Sequence, residues 1–522
     1  MTQRIATHTL LYIRFWLLTA TLALATAASA QLPNGAGVLK SPDGKSVLTI
    51  SVIRDSIMTF AVSRNGKTYI DTAQVFIFFD NVRATVLNPM HIKNVRTIAK
   101  RDTLHSKVWE RAVQPDYYNE LLLTFQDGQL VNTLKFRMYN QGFATGIDIN
   151  NPKKTIAQAY FTRYHWVNKG IYHLLDAKTE NGYNSVMGRD GATAITPTLT
   201  MSNSDTLLAL THEAANYEFF SRARITLENF NVTISQGGIY SLANYSTPWH
   251  YVVFADNAAD FFEGKYIVRS LNMKPNGSYS WVKPGKVYRH LGNKDEDFAT
   301  DKVKRSIDFA ASMQFQYVLL DNGWYGLGYA AEFDPNSDPM HTVAPLNLPD
   351  VIKYGRAKGI GIILYFNKTA LSTNTSDSIL TYYSGLGVKG IKLGFFKNRN
   401  QMDNVVASRI ITKCASLGLV VNVHDEYRPT GVEALYPNFL TCEGMRGNEY
   451  RDNTGNHTST LPFVRYMIGA GDYTICYEPA DTTRLDLHTT KAHQLALSVI
   501  LFSPLNTFFG TARPNGTPTI SK

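Results

Sequence analysis

Residues 421–431 read VNVHDEYRPTG, where a run that is apolar except for Asn422 stops at three consecutive titratable side chains, His424, Asp425 and Glu426. A little further on, CEG supplies Glu443 and GNEY supplies Glu449. Carboxylates aimed into one cleft repel one another unless they share a proton or a cation. Two chemistries use that arrangement. In glycoside hydrolysis one carboxylic acid protonates the leaving oxygen while a second carboxylate activates water or attacks the sugar. In a calcium site several carboxylates and carbonyls surround a hard cation. Asp425, Glu426, Glu443 and Glu449 are enough for both at once. Each alone reads as a surface ion pair or a loop cap; clustered at neighbouring strand ends, they are costly unless used.

The elements that must position these residues are legible as apolar runs: GKVYRHL at 285–291, FQYVLLDNGW at 315–324, GIGIILYFNK at 359–368, VKGIKLGFF at 388–396, LGLVVNVHDE at 417–426, NFLTCEG at 438–444, AGDYTICY at 470–477 and NTFFG at 506–510. Several are separated by helical patterns such as DKVKRSIDFAASM at 301–313. Near-continuous apolar strands alternating with helices predict parallel strands buried on both faces, and eight is the count of a TIM barrel. Active sites of such barrels lie where the strands end. At those ends stand Asp321, Asn367 with Lys368, Lys392, the His424-Asp425-Glu426 triplet and Glu443, with Glu449 in the same loop as Glu443. No G-x-G-x-x-G opens the first unit, which argues against a dinucleotide site.

Upstream, residues 35–255 alternate short β-rich runs such as SVLTISVI, VFIFFD and TLKFRMYN with turn signals, the pattern of a large antiparallel β-sandwich. The first thirty residues carry Arg4 and Arg14, an apolar stretch and then Ala28-Ser29-Ala30, the layout of a secretory signal peptide. The expected organisation is a signal peptide over 1–30, a β-sandwich domain over 31–275 and a (β/α)8 barrel over 276–522. The expected location is exported and periplasmic, with no membrane span. The formal charge of +10 falls to +8 once Arg4 and Arg14 leave. No Lys/Arg cluster is interleaved with aromatics, so a nucleic-acid partner is not expected. Cys414, Cys442 and Cys476 match neither a disulfide framework nor a zinc spacing and read as buried thiols.

The segments PGKVY, IDFAASMQFQYVLLDNGWY, LPDVIKYGRAKGIGIILYFNK, GVKGIKLGFF, VNVHDEYRPTG, LYPNFLTCEGMRGNEY and HTSTLPFVRYMIGAGDYT follow in order the pattern of glycoside hydrolase family 97. The resemblance runs from about residue 40 onward. It implies an N-terminal β-super-sandwich, a (β/α)8 catalytic barrel, a C-terminal β-sandwich that this chain largely lacks, and calcium in the active site. Carried over by position, Glu449 resembles the general acid, Asp425 the base that also contacts calcium in inverting members, and Glu443 a calcium ligand. Glu426 is the alternative base. Glu449 and Asp425 also count among the expected calcium ligands, with Glu213 of LTHEAANY as a further one.

Lys392, His424 and Asp321 resemble sugar-binding residues. Asn367 stands where glucose-active inverting members supply a second basic Glu, and is taken as a substrate contact. On residue type alone Lys392 reads equally as a barrel-interior ion pair. Retaining members carry a nucleophilic Asp after the strand-4 GIK-x stretch, where this chain has Gly394. The resemblance therefore implies a calcium-dependent, inverting, exo-acting enzyme that removes terminal α-linked glucose, or galactose, from oligosaccharides. The competing expectation is a carbohydrate-binding protein on the same fold that has lost catalysis.

Overall fold

A computed structural model describes residues 37–509 apart from 55–56, 81–86, 168, 177–182, 188–190, 203–206, 218–219, 239–241, 293, 327–337, 372–374, 398, 449–453 and 477–488. The expected signal peptide lies outside the described residues, as does Glu449.

Residues 37–255 form one 17-stranded antiparallel sheet folded on itself. Its strands alternate as a half-buried surface requires: Ser46–Ile53 buries Ser46, Leu48 and Ile50 and turns its other residues toward solvent. The strand Trp249–Ala255 is buried on both faces. Val252 and Phe254 enter the core between the layers, while Tyr251 and Val253 pack on the helical segment 258–271 that leads to the second half.

The second half is an eight-stranded parallel sheet. Its strands are β1 Gly285–His290, β2 Tyr317–Leu320, β3 Gly361–Asn367, β4 Gly390–Gly394, β5 Val420–Val423, β6 Phe439–Cys442, β7 Ile475–Cys476 and β8 Leu505–Phe509. The register runs Val287 against Tyr317, Leu319 against Ile363, Lys392 against Asn422, and Gly285 against Leu505. Among the described residues the ring closes between β6 and the segment leading into β7 through one parallel bridge, Cys442 with Gly471. The expected β-sandwich followed by a (β/α)8 barrel is thus present, with every expected strand in place. Cys414 and Cys442 are buried and unbridged.

Helices between the strands form where side chains cap them. Asn347 accepts from the Asp350 N–H and Pro349 opens Leu348–Ala357; Asn400 accepts from the Asp403 N–H and opens Gln401–Ser416. Helix Thr300–Ser312 buries Val303, Ile307 and Ala310 at helical spacing against the barrel. Among the described residues no helix is long and apolar enough to cross a membrane.

The sandwich grips the barrel loop that follows β5. The Ala215 N–H donates to the Thr430 carbonyl at 2.8 Å, His212 Nε2 to the Pro429 carbonyl at 2.9 Å, and Asn272 Nδ2 to the Thr430 carbonyl at 2.9 Å. Gly431 turns the loop at φ +79°, where a Cβ would lie 2.6 Å from the Val268 carbonyl oxygen, so only glycine fits.

Candidate active site

The ladder between strands runs a residue past their ends, which brings their next side chains together. The His424 N–H donates to the Leu393 carbonyl at 2.8 Å, Glu443 N–H to Val423 at 2.8 Å, and Asp472 N–H to Cys442 at 3.0 Å. Asp425 then takes φ +68°, a left-handed conformation that a non-glycine residue adopts at a cost of order 1–3 kcal/mol. That twist points its N–H at Glu443 Oε2, 2.9 Å away, and its Oδ2 at the Phe395 N–H just past β4.

His424 bridges two carboxylates. Nδ1 lies 3.1 Å from Glu443 Oε2 and Nε2 lies 2.8 Å from Asp472 Oδ2. Asp472 also accepts from Asn422 Nδ2 at 2.6 Å, from the Thr507 hydroxyl at 2.7 Å and from the Thr507 N–H at 3.3 Å. Beside this group, Asp321 at the end of β2 is held by Arg289 of β1 and by Lys392 of β4, whose Nζ lies 3.1 and 3.3 Å from its two oxygens.

Charge is arranged to match. Burial and the nearby Lys392 work against a charged imidazole, but Glu443 and Asp472 reverse them and lift His424 to about 10. Burial raises Asp472, yet its bond to His424 brings it down to about 2. Burial likewise opposes ionisation of Asp321, and Arg289 with Lys392 overcome it and hold the carboxyl well below the usual range. Asp425 goes the other way: burial, and then the charge of Glu443, push it up to about 7. One carboxyl pushed upward thus stands beside His424, Asp472 and Asp321, which their partners hold in the charged form.

The structure brings Asp425, His424 and Glu443 into direct contact, and pairs Lys392 with Asp321. Asn367, at the end of β3, turns its Oδ1 to cap the next segment, accepting from the Ala370 N–H at 2.9 Å. Glu426 faces away from Asp425, into an ion-pair cluster. Its Oε2 lies 3.0 Å from Arg222 Nη1 and 3.0 Å from Arg399 Nε, and its Oε1 pairs with Arg399 Nη2. Burial would raise this carboxyl, but the two guanidiniums hold it below its ordinary value. Glu213 keeps its bonds inside the sandwich, accepting from the Ala223 N–H at 2.7 Å, Asn216 Nδ2 at 2.9 Å and Gln236 Nε2 at 2.5 Å. Asp472, Arg289, Arg222 and Arg399 escaped the reading of the sequence, although a lone Asp in the apolar AGDYTIC was a usable signal.

Two further features bear on chemistry. Gly394 ends β4 against the ring of the buried Tyr365; a Cβ there would stand 2.6 Å from Tyr365 Cζ, so the position has no room for a side chain. Glu443 Oε1 is buried and has no hydrogen-bond partner among the described residues. An orphaned carboxylate oxygen is what a hard cation takes as a ligand, so Glu443 fits the calcium expected here. No group of three or more His, Cys, Asp or Glu side chains is arranged to hold a metal among the described residues.

The N-terminal model of the glycosyl hydrolase 97 family matches residues 39–273, and its glycoside hydrolase 97 model matches residues 281–445. The chain belongs to glycoside hydrolase family 97. A curated relative named as a probable retaining alpha-galactosidase, from Streptomyces bingchenggensis, is 28% identical over 370 residues, which is 68% of this chain and 54% of the relative. A retaining alpha-galactosidase of Bacteroides thetaiotaomicron is 30% identical over 250 residues, 44% of this chain and 36% of the relative. The chain thus spans about half the length of the first relative and about a third of the second.

A family 97 enzyme of Pseudoalteromonas sp. strain K8, solved in complex with acarbose, shares the fold with a TM-score of 0.81 at 20% identity, covering 92% of this chain and 82% of its own. A beta-arabinopyranosidase shares it with a TM-score of 0.75 at 17% identity, covering 93% and 83%.

Proposed function

We propose that this family 97 chain is an exo-acting glycoside hydrolase that releases a terminal α-linked hexose with inversion, glucose before galactose, and that it works with calcium as an exported, periplasmic protein. The observation that carries the mechanism is the end of β4, where the ring of Tyr365 fills the space that any side chain at Gly394 would need. A retaining enzyme places its nucleophilic carboxylate within about 5.5 Å of the acid, whereas an inverting one leaves room for water between carboxyls about 6.5–9.5 Å apart. With nothing but hydrogen at position 394, the proposed base is Asp425 just past β5, since Glu426 is held by Arg222 and Arg399 and Asp321 by Arg289 and Lys392.

Asp425 suits a general base by position: it follows β5 directly, and its carboxyl is turned away from the ion pairs that hold Glu426 and Asp321. It accepts a proton from water, and the Phe395 N–H and the backbone twist at φ +68° fix the direction in which it does so. Glu449 is the proposed acid, on the resemblance of GNEY. Lys392 and Asp321, a buried charged pair at the ends of β4 and β2, are the proposed contacts of sugar hydroxyls, offering a donor and acceptors. Glu443 Oε1 and Asp425 would hold calcium, which when bound supplies positive charge against these crowded carboxylates. Glu449 is a further proposed ligand, and so is Glu213. Its test is the loss, in Glu213→Gln, of calcium-dependent stabilisation.

The curated relatives are named as retaining, so the stereochemical outcome decides the proposal. Hydrolysis of an aryl α-glucoside that first yields β-glucose supports inversion. First release of the α-anomer would return the chain to the mechanism in its relatives' names. No turnover of either α-glucoside or α-galactoside, with sugar binding retained, would favour the reading as a binding protein.

A further inference from the structure

We propose that Glu426 is a positioning residue, gripped between Arg222 of the sandwich and Arg399 of the loop after β4, and that this clamp fixes Asp425 in its working orientation. The inference rests on the reading of Asp425 as the base, and it gives the sandwich half of the chain a direct part in setting that base.

Asp425 and Glu426 are consecutive, so the left-handed backbone at Asp425 sends the two carboxylates in different directions, one toward Glu443 and the Phe395 N–H, the other toward the arginines. A left-handed non-glycine residue persists only where its surroundings over-determine it. Glu426 supplies that determination on the downstream side. Both its oxygens are engaged by guanidinium donors, Arg399 in bidentate fashion, and its carbonyl accepts from Arg428 Nη1 at 2.8 Å. The pair with Arg222 is buried, the side chains being 5% and 4% exposed, while the Arg399 side chain is 46% exposed.

Arg222 is itself rigidly mounted. The N–H groups on either side of it are taken: Ser221 donates to the Gly237 carbonyl at 3.0 Å and Ala223 to Glu213 Oε1 at 2.7 Å. The preceding stretch docks on the helix that follows β4, with the Ser408 hydroxyl donating to the Tyr217 carbonyl at 2.8 Å and Asn404 Nδ2 to the Phe220 carbonyl. Arg399 is aligned by its own N–H, which donates to Asp403 Oδ2 at 2.9 Å, and Asp403 in turn pairs with Lys368 at the end of β3. Contacts therefore lead from the sandwich through Arg222 to Glu426, the chain neighbour of Asp425, and from Lys368 through Asp403 and Arg399 to the same residue. A misplacement of a reacting group by about 1 Å can cost on the order of 100-fold in rate, so loosening these contacts should appear in turnover.

The test compares Asp425→Ala, Glu426→Ala, Arg222→Gln, Arg222→Lys and Arg399→Gln in the full chain with an aryl α-glycoside, with and without sodium azide. Azide restores turnover to variants that lack a base, by attacking the anomeric carbon as the aryl oxide leaves, and it gives a glycosyl azide. Asp425→Ala should lose about 100- to 10,000-fold in kcat and regain part of it with azide, with glycosyl azide as product. Glu426→Ala and Arg222→Gln should lose roughly 10- to 100-fold in kcat with KM within about 3-fold and gain nothing from azide. Arg222→Lys should recover part of the loss.

If removal of Glu426 prevents folding, the half-exposed Arg399→Gln carries the test, with the same fall in kcat expected. Azide rescue of Glu426→Ala with glycosyl azide formed would make Glu426 the base and overturn the proposal. Parent kcat in both Arg222→Gln and Arg399→Gln would overturn it too. Parent kcat in Asp425→Ala would instead remove the reading of Asp425 on which it rests.

Discussion

Gly394→Ala should be destabilising out of proportion to its size, and the reason can be worked from the end of β4. The added Cβ would stand 2.6 Å from Tyr365 Cζ, where carbon atoms ordinarily sit about 3.5–4.0 Å apart. Tyr365 is only 3% exposed and lies in the barrel core, so its ring has nowhere to swing. Forcing a methyl group into such packing costs roughly 1–3 kcal/mol. Tyr365→Leu alone is also destabilising, because it leaves a cavity.

Combined, the two changes relieve each other, so the double variant should be more stable than the sum of the singles by about 1–3 kcal/mol. Urea unfolding at constant slope measures all four corners of this cycle. A Gly394→Ala variant within about 0.5 kcal/mol of the parent, or strict additivity in the double variant, would refute the reasoning. The end of β4 would then be open, and a nucleophile there sterically allowed. On the present geometry, Gly394→Asp should give no retaining enzyme while Tyr365 is in place.

Asp321→Asn should destabilise by about 3–5 kcal/mol in urea, because Arg289 and Lys392 would be left buried without their shared carboxylate; a loss under about 1 kcal/mol would show that water compensates the two cations. His212 and His250 are held at about 3 by burial, against 6.5 in the unfolded chain, so below pH 6.5 the unfolded state binds more protons and stability falls as pH falls. The loss should reach about 2 kcal/mol for each by pH 5. His250→Gln should show a shallower acid loss by about that amount, and an unchanged slope would show that His250 is solvated. In thermal unfolding with calcium and with chelator, Asp425→Asn should lose the calcium-dependent rise in Tm and Glu426→Gln should keep it. Equal responses would sink that division of the two carboxylates.

The barrel was legible because a strand buried on both faces must be apolar nearly throughout; GIGIILYFNK and LGLVVNVHDE announce their strands and also where those strands stop. The convergence of Asp425 and Glu443 followed from that, since neighbouring strands of a barrel bring their ends together. What the spacing could not show was direction. Asp425 and Glu426 are adjacent and alike in charge, and only the left-handed backbone between them tells which faces Glu443 and which faces away.

The partners of Glu426 were hidden for another reason. Arg222 lies 204 positions earlier, in a different half of the chain, and no local pattern links them. Asp472 sat inside an apolar run and read as a strand residue, though a fully buried carboxylate that collects four hydrogen bonds is a structural hub. Lys392 was left between a sugar contact and a barrel-interior ion pair; its pairing with Asp321 shows that the ion pair exists.

The most direct test of the account is the anomeric configuration of the first sugar released from p-nitrophenyl α-glucoside and α-galactoside, followed by proton NMR with calcium and with chelator. Fresh β-glucose that appears with calcium and vanishes with chelator is the predicted result. Release of the α-anomer first, or release undiminished by chelator, would contradict it.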